Sequence, residues 1–293
     1  MTTDLMKILT DIKNHNIFKD FDFRLIGGTA LSHHLNHRLS EDLDFCIMGK
    51  LPKAAISDFL DYCVKLYGRE KTSFIGFSQG KLLDFEINCE DIMDYEQNWK
   101  IAGVKVTFFD GSDNRGVRDI FKNDCFVQEG NIKIASVDSI FAMKSLMFYN
   151  RAKSRDYFDL LHMYEHDKSR YSVEKTLSLI QKYEMAYQGE DGMKLFLQKL
   201  EYPPYSKERD EPLVGLISYP EDFKTLSNRL VGLIKNADMD MVLQLKESLE
   251  FLKLESNALG EIFRHGDTDG LSDEEREDAV RALADGDSGL KLG

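Results

Sequence analysis

Proline is scarce in this chain, five residues in 293, and there are one tryptophan and four cysteines. So little proline excludes collagen-like and proline-rich extended architectures. Cys46, Cys63, Cys89 and Cys125 stand singly, with no C-x-x-C and no histidine at zinc-site spacing. That pattern excludes a disulfide scaffold or a structural zinc and fits reduced thiols. There is no run of about 18 apolar residues, so no membrane-spanning helix is expected. The first residues lack the basic-then-apolar pattern of a secretory signal. A cytoplasmic protein is expected. Basic side chains are outnumbered, 38 Lys and Arg against 51 Asp and Glu, for a net charge of −13. This balance excludes sequence-blind coating of nucleic acid by overall charge, while leaving room for a local basic cleft.

What is present is ordinary globular material, with 42% apolar and 11% aromatic residues. Leu5, Ile8, Leu9 and Ile12 fall at helical spacing within Asp4–Ile17. Phe21 to Ile26 alternates and runs into Gly27-Gly28, which reads as a strand ending in a tight turn. A short helix over Thr29–Asn36, a strand over Leu43–Met48 and a helix over Lys53–Tyr67 follow, and Leu82–Ile87 and Val104–Phe109 read as further strands. From Val137 onward the periodicity is helical: Ser139–Tyr149, Ser154–His166, Val173–Tyr183, Gly192–Leu200, Glu221–Ile234 and Met239–Phe263, interrupted at Tyr202-Pro203-Pro204-Tyr205. The expected architecture is an α/β (α+β) domain with a mixed sheet over residues 1–130 and a helical domain over 131–265. An acidic, flexible tail is expected over 266–293, where nine acidic and three basic residues give −6. Asp267-Thr268-Asp269-Gly270 opens like a calcium loop but lacks the remaining ligands.

The chemistry concentrates between residues 25 and 45. Gly27-Gly28 at a strand end lets backbone approach a ligand closely, and the free N–H groups of the next helix suit phosphate. Asp42 and Asp44 lie two apart on a strand, so both carboxylates project from one face while Leu43 and Phe45 turn to the core. Two parallel carboxylates repel each other unless a cation joins them. Magnesium does this and bridges to phosphate oxygens, as phosphoryl or nucleotidyl transfer requires.

Four blocks then resemble the AbiEii/AbiGii nucleotidyltransferase toxin family, within the DNA-polymerase-β-like nucleotidyltransferase superfamily. They are Leu25-Ile26-Gly27-Gly28-Thr29-Ala30-Leu31, His37-Arg38-Leu39-Ser40-Glu41-Asp42-Leu43-Asp44-Phe45, the Ala135–Lys144 segment and the Arg151–Asp159 segment. The resemblance implies a polymerase-β-like α/β domain followed by helices, and transfer of a nucleotide from an NTP to an acceptor hydroxyl. By it, Asp42 and Asp44 would hold Mg2+ (or Mn2+), and Gly27, Gly28 and Thr29 would hold phosphate with help from Arg38 and Ser40. Lys144 would meet the triphosphate or activate the acceptor, and Asp156 would also be catalytic. Arg155, Asp156 and Asp159 would order the nucleotide pocket from the helical side. The resemblance further implies a toxin–antitoxin or abortive-infection role, with a cognate antitoxin and an RNA or tRNA acceptor as partners and no membrane.

One departure stands out. The superfamily draws a third carboxylate from a later strand, and the matching segment here is Val104-Lys105-Val106-Thr107-Phe108. A threonine cannot serve as that carboxylate. Asp110, Asp84 and Glu86 are the substitutes on offer, the last two sharing a face of the strand expected over Leu82–Ile87. The same departure keeps two other readings open: a non-catalytic NTP-binding or interaction module, and a transferase acting on a small molecule such as an antibiotic. His33, His34 and His37 lack the partners of a zinc site. Phe141, Phe148, Tyr149, Tyr157 and Phe158 fall at core-like helical intervals. Lys168, Arg170 and Lys175 are too few for a nucleic-acid surface.

Overall fold

The computed structural model describes residues 1–147, 153–187, 195, 198, 213, 215–217 and 222–237. The chain divides into two compact units, Met1–Lys235 and Asn236–Gly293, and every element below that forms the site belongs to the first. Nearly all of Gly192–Leu200, Tyr202–Tyr205, Met239–Phe263 and the tail from 266, together with Phe148 and Tyr149, lie outside the described residues.

Two N-terminal helices, α1 (Thr3–Ile12) and α2 (Ile17–Asp20), lead into β1 (Arg24–Ile26), α3 (Gly27–Leu35), β2 (Asp42–Ile47) and α4 (Lys53–Tyr67). Then come β3 (Thr72–Phe74), α5 (Gln79–Ile87), β4 (Glu96–Ile101), β5 (Val104–Asp110), α6 (Arg115–Lys122), β6 (Val127–Glu129) and β7 (Ile132–Ile134). Helices α7 (Val137–Met147), α8 (Ser154–His166), α9 (Val173–Tyr183) and α10 (223–237) complete the described chain. The seven strands form one mixed sheet in the order β3-β4-β5-β2-β1-β7-β6. It extends past residue 130 to Ile134, because β7 pairs parallel with β1.

Strand parity sets the two faces. Leu25, Leu43, Phe45, Val106 and Phe108 are buried on one side, where α1, α2 and α4 cover them. The core there is a ring cluster: Phe18 meets Phe45 at 4.7 Å and Phe59 at 5.7 Å, and Phe59 meets Phe108 at 5.6 Å. Burying aromatic area this way contributes about 1.5–3 kcal/mol per side chain. Helix α1 starts under Thr2, whose hydroxyl accepts from the Leu5 N–H at 3.4 Å. The opposite face carries Asp42, Asp44 and their neighbours.

The expectation over Leu82–Ile87 is corrected: the segment is helix α5, not a strand. Its apolar run satisfies either period, and Ser78 decides, its hydroxyl accepting from the Lys81 N–H at 3.3 Å to cap the helix. Asp84 and Glu86 are therefore about 200° apart around the helix axis and share no face. Strands β3, β4, β6 and β7 add to those read from the sequence.

Candidate active site

Register places the central residues. In the parallel β2–β5 pair Asp42 lies opposite Lys105 and Asp44 opposite Thr107. In the antiparallel β4–β5 pair Thr107 lies opposite Asn98, and Lys105 opposite Lys100. One row therefore reads Asp44–Thr107–Asn98 and the next Asp42–Lys105–Lys100, all on one sheet face. Beyond β2 on its other side, Asp44 pairs with Ile26, the last residue before the glycines.

Both glycines are required by close approach. Gly27 has φ +73°, and a Cβ there would stand 3.1 Å from Asp44 Oδ2. A Cβ on Gly28 would stand 2.3 Å from Arg38 Nη2 and 3.3 Å from Ser40 Oγ. They open α3, whose N-terminus has no side-chain cap. Its first N–H groups thus gather next to Asp44, with the positive end of the helix dipole, as an anion site needs.

Thr29, Arg38 and Ser40 are buried at 1%, 6% and 6% exposure, so they hold the turn from behind. The Thr29 hydroxyl donates to the Asp42 carbonyl and lies 2.8 Å from Ser40 Oγ. Ser32 Oγ donates to the Arg38 carbonyl at 2.8 Å. These bonds tie the start of α3 to the strand bearing the carboxylates.

The helical side contributes a buried ionic network. Arg38 donates from Nε to Asp159 Oδ1 at 2.6 Å and from Nη2 to Asp159 Oδ2 at 2.9 Å. His37 Nε2 lies 2.7 Å from the same Oδ1. Lys144 Nζ stands 2.8 Å from Asp156 Oδ1 and 2.8 Å from Asp159 Oδ2. Burial alone would push the Asp159 carboxyl up, but Lys144, Arg38 and the His37 bond hold it well below the usual carboxylate range. Burial likewise opposes the charged forms of Lys144 and Arg38, and Asp156 and Asp159 reverse this and raise both. Asp159 is fully buried and holds Arg38, His37 and Lys144 in place. Lys144 and Asp156 both reach the cavity wall. Arg155 Nη2 meets Glu41 Oε2 at 3.3 Å, linking α8 to the segment before β2.

That cavity has a volume of about 550 Å³ and is lined by Gly27, Asp44, Thr107, Lys105, Lys144 and Asp156 among others. Glu96 and Asn98 also line it, and nothing in the sequence singles them out. Thr107 Oγ1 donates to Asn98 Oδ1 at 3.1 Å, Asn98 Nδ2 donates to Glu96 Oε1 at 2.6 Å, and Lys81 pairs with Glu96. An alternation of polar residues at 96, 98 and 100 is the only available signal. Asp110 borders the cavity too, but its Oδ1 accepts from the N–H groups of Gly49 and Ser112 at 2.8 and 2.7 Å. Asp84 and Glu86 do not line it.

Other candidates resolve into structure. His34 Nε2 lies 2.9 Å from the Ala135 carbonyl and His33 faces Glu129 at 3.8 Å, so with His37 on Asp159 the three diverge. Arg170 pairs with Asp138, and Lys175 donates to the Ser169 and Arg170 carbonyls. Phe141 packs on Tyr171 at 5.1 Å, and Tyr157 on Phe223 at 5.1 Å, as core.

Among the described residues no group of three or more His, Cys, Asp or Glu side chains forms a metal cage. Magnesium seldom has one: it takes one or two carboxylates and completes its shell with water and substrate phosphate. Asp42 and Asp44, on one face beside a bare helix N-terminus, fit that donor set. No helix among the described residues is long and apolar enough to cross a membrane.

A mixed sheet whose strand β2 bears two carboxylates on one face beside a glycine turn has the architecture of a nucleotidyltransferase. The chain belongs to the AbiEii nucleotidyltransferase toxin family: it matches the family described as "Nucleotidyl transferase AbiEii toxin, Type IV TA system" over residues 8–244. It is thus an enzyme of toxin–antitoxin type. Among solved structures, JHP933 from Helicobacter pylori is 16% identical, with a TM-score of 0.43, covering 85% of this chain and 96% of that one. MenT4, a nucleotidyltransferase toxin from Mycobacterium tuberculosis, is 12% identical with a TM-score of 0.43, covering 78% and 82%. No curated protein matches the chain in sequence.

Proposed function

We propose that this enzyme transfers a nucleotide from an NTP to an acceptor hydroxyl on RNA, with Mg2+ or Mn2+ held by Asp42 and Asp44, and that a cognate antitoxin restrains it. The observation that carries the reading is the approach of Asp44 to Gly27, which sets one carboxylate of the strand's same-face pair against an uncapped helix N-terminus. A bound divalent cation would neutralise the two carboxylates and the phosphate charge between them. The N–H groups at the start of α3 bind the departing phosphates. Lys144, fixed by Asp156 and Asp159, keeps a full positive charge facing the cavity and stabilises charge that builds on the phosphoryl oxygens. In the transfer the acceptor oxygen bonds to the α-phosphorus, the bond from that phosphorus to the bridging oxygen breaks, pyrophosphate leaves, and the hydroxyl proton is lost to water.

The test is incubation with labelled NTPs, Mg2+ or Mn2+, and total RNA. Label should move to RNA with the native chain and not with Asp42→Ala or Asp44→Ala. Thr107, neutral where relatives place an acid, favours one competing reading, a protein that binds NTP without turnover. Saturable NTP binding with no transfer to any acceptor would establish that reading and defeat ours.

A further inference from the structure

Arg38 and Lys144, on the turn and helical side, are already paired with the buried acids Asp159 and Asp156. Two lysines on the sheet are not. Lys105 and Lys100 face each other across the β4–β5 pair, both are exposed, and neither meets a carboxylate among the described residues. Like charges set directly opposite destabilise a strand pair, so nothing in the fold itself calls for them. The turn beside them fixes their position: Ala102 and Gly103 have φ +46° and +93°, the two-residue hairpin with positive φ at both positions. The Ala102 N–H also donates to the Lys71 carbonyl at 2.8 Å. Directly opposite residues on such a hairpin lie about 4.5–5.5 Å apart at Cα, close enough for two ammonium groups to hold one phosphate.

Their side of the site decides which phosphate. The sheet order β4-β5-β2-β1 puts the carboxylate strand β2 between the glycine turn after β1 and the lysines on β5 and β4. The NTP phosphates belong at the turn, and displacement at phosphorus brings the acceptor in from the side opposite the leaving group. Lys105 stands in the same row as Asp42 and lines the cavity. The negative charge of Glu96 nearby is met by Lys81.

We propose that Lys100 and Lys105 together bind a backbone phosphate of the acceptor RNA and hold its reacting hydroxyl over Asp42 and Asp44. This rests on the nucleotidyl-transfer reading and assigns its acceptor side. A cationic small-molecule acceptor would be repelled at the same place.

The test uses the full chain and the double variant Lys100→Gln/Lys105→Gln. Binding of a fluorescent single-stranded oligoribonucleotide is followed by anisotropy between 50 and 300 mM KCl, without nucleotide or metal. Loss of one phosphate contact should lower the slope of log K against log salt by about 0.7, and weaken binding about eightfold at 50 mM. NTP affinity should stay within about twofold, and the thermal midpoint should not fall, because a like-charge pair is removed. In the transfer assay at 50 mM KCl, KM for RNA should rise by about the same factor as RNA binding weakens, with kcat nearly unchanged. An unchanged salt slope overturns the proposal, and so does a loss of NTP affinity with RNA binding intact, which would put the pair on the triphosphate. Transfer that survives Asp42→Ala and Asp44→Ala would defeat the nucleotidyl-transfer reading itself, a separate result from the anisotropy arm.

Discussion

Asp159→Asn is the most direct probe of how this site is held together. The carboxylate is fully buried and serves three partners: Arg38 through two bonds, Lys144 at 2.8 Å and His37 at 2.7 Å. With Asp156, it balances two buried cations by two anions. The amide is nearly the same size, so packing survives, but one buried positive charge is left without its counter-charge. Breaking a buried pair from one side costs about 3–5 kcal/mol, which for a domain of this size lowers the thermal midpoint by roughly 6–20 °C. Denaturant melts of the single variant, of Lys144→Met, and of the double variant close a thermodynamic cycle. The double variant should recover part of the loss, because it restores the charge balance. The pH profile adds a second readout. A depressed Asp159 gives stability that is present above its unfolded value near 3.9 and lost as pH falls through its much lower folded value. A raised Lys144 gives stability that is present below about 10.4 and lost only as pH rises past its folded value. The Asp159 and Lys144 contributions to the difference between native chain and Asp159→Asn should therefore be flat from about pH 5 to 9. A loss under about 1 kcal/mol at pH 8 would refute a balanced network.

Gly28→Ala would drive a methyl group to 2.3 Å from an Arg38 nitrogen that two bonds to Asp159 prevent from yielding. A cost of about 1–3 kcal/mol is expected in denaturant melts, with NTP affinity falling in a nucleotide titration. Thr107→Asp sets a carboxylate in register beside Asp44 and next to Asn98. Without divalent cation the thermal midpoint should drop, since two adjacent carboxylates repel. Mn2+ at a hundredfold excess over its Kd should return about 2.7 kcal/mol, and a midpoint indifferent to Mn2+ would count against metal binding at this row.

Strong periodicity made much of the fold legible. Helices α4, α8 and α9 occupy the ranges their apolar spacing indicates, because each carries one face of core residues over three turns or more. Strands β3, β6 and β7 are three residues long, too short for a period of two to declare itself. Segment 82–87 shows the limit of pattern alone, since its leucines suit both periods and a serine cap settles the matter. The carboxylate face was readable from strand parity. The partners of Asp159 were not, because Arg38 lies 121 residues away and only the packing of α8 against the turn brings them together.

The distribution of charge argues for a division of labour across β2. On the turn and helical side Arg38 and Lys144 are matched by the buried acids Asp159 and Asp156, so their charge is fixed in place and little changed by salt. Such a site binds one ligand of constant shape and charge, as an NTP is. On the β5–β4 side the lysines are exposed and unmatched, so their attraction is long-ranged and screened by salt, which suits a large polyanion that must arrive, dock and leave. Thr107 stands at the boundary. An acid there would add negative charge next to Lys105 on the same face and weaken that attraction, so the neutral residue suits the acceptor capture we propose.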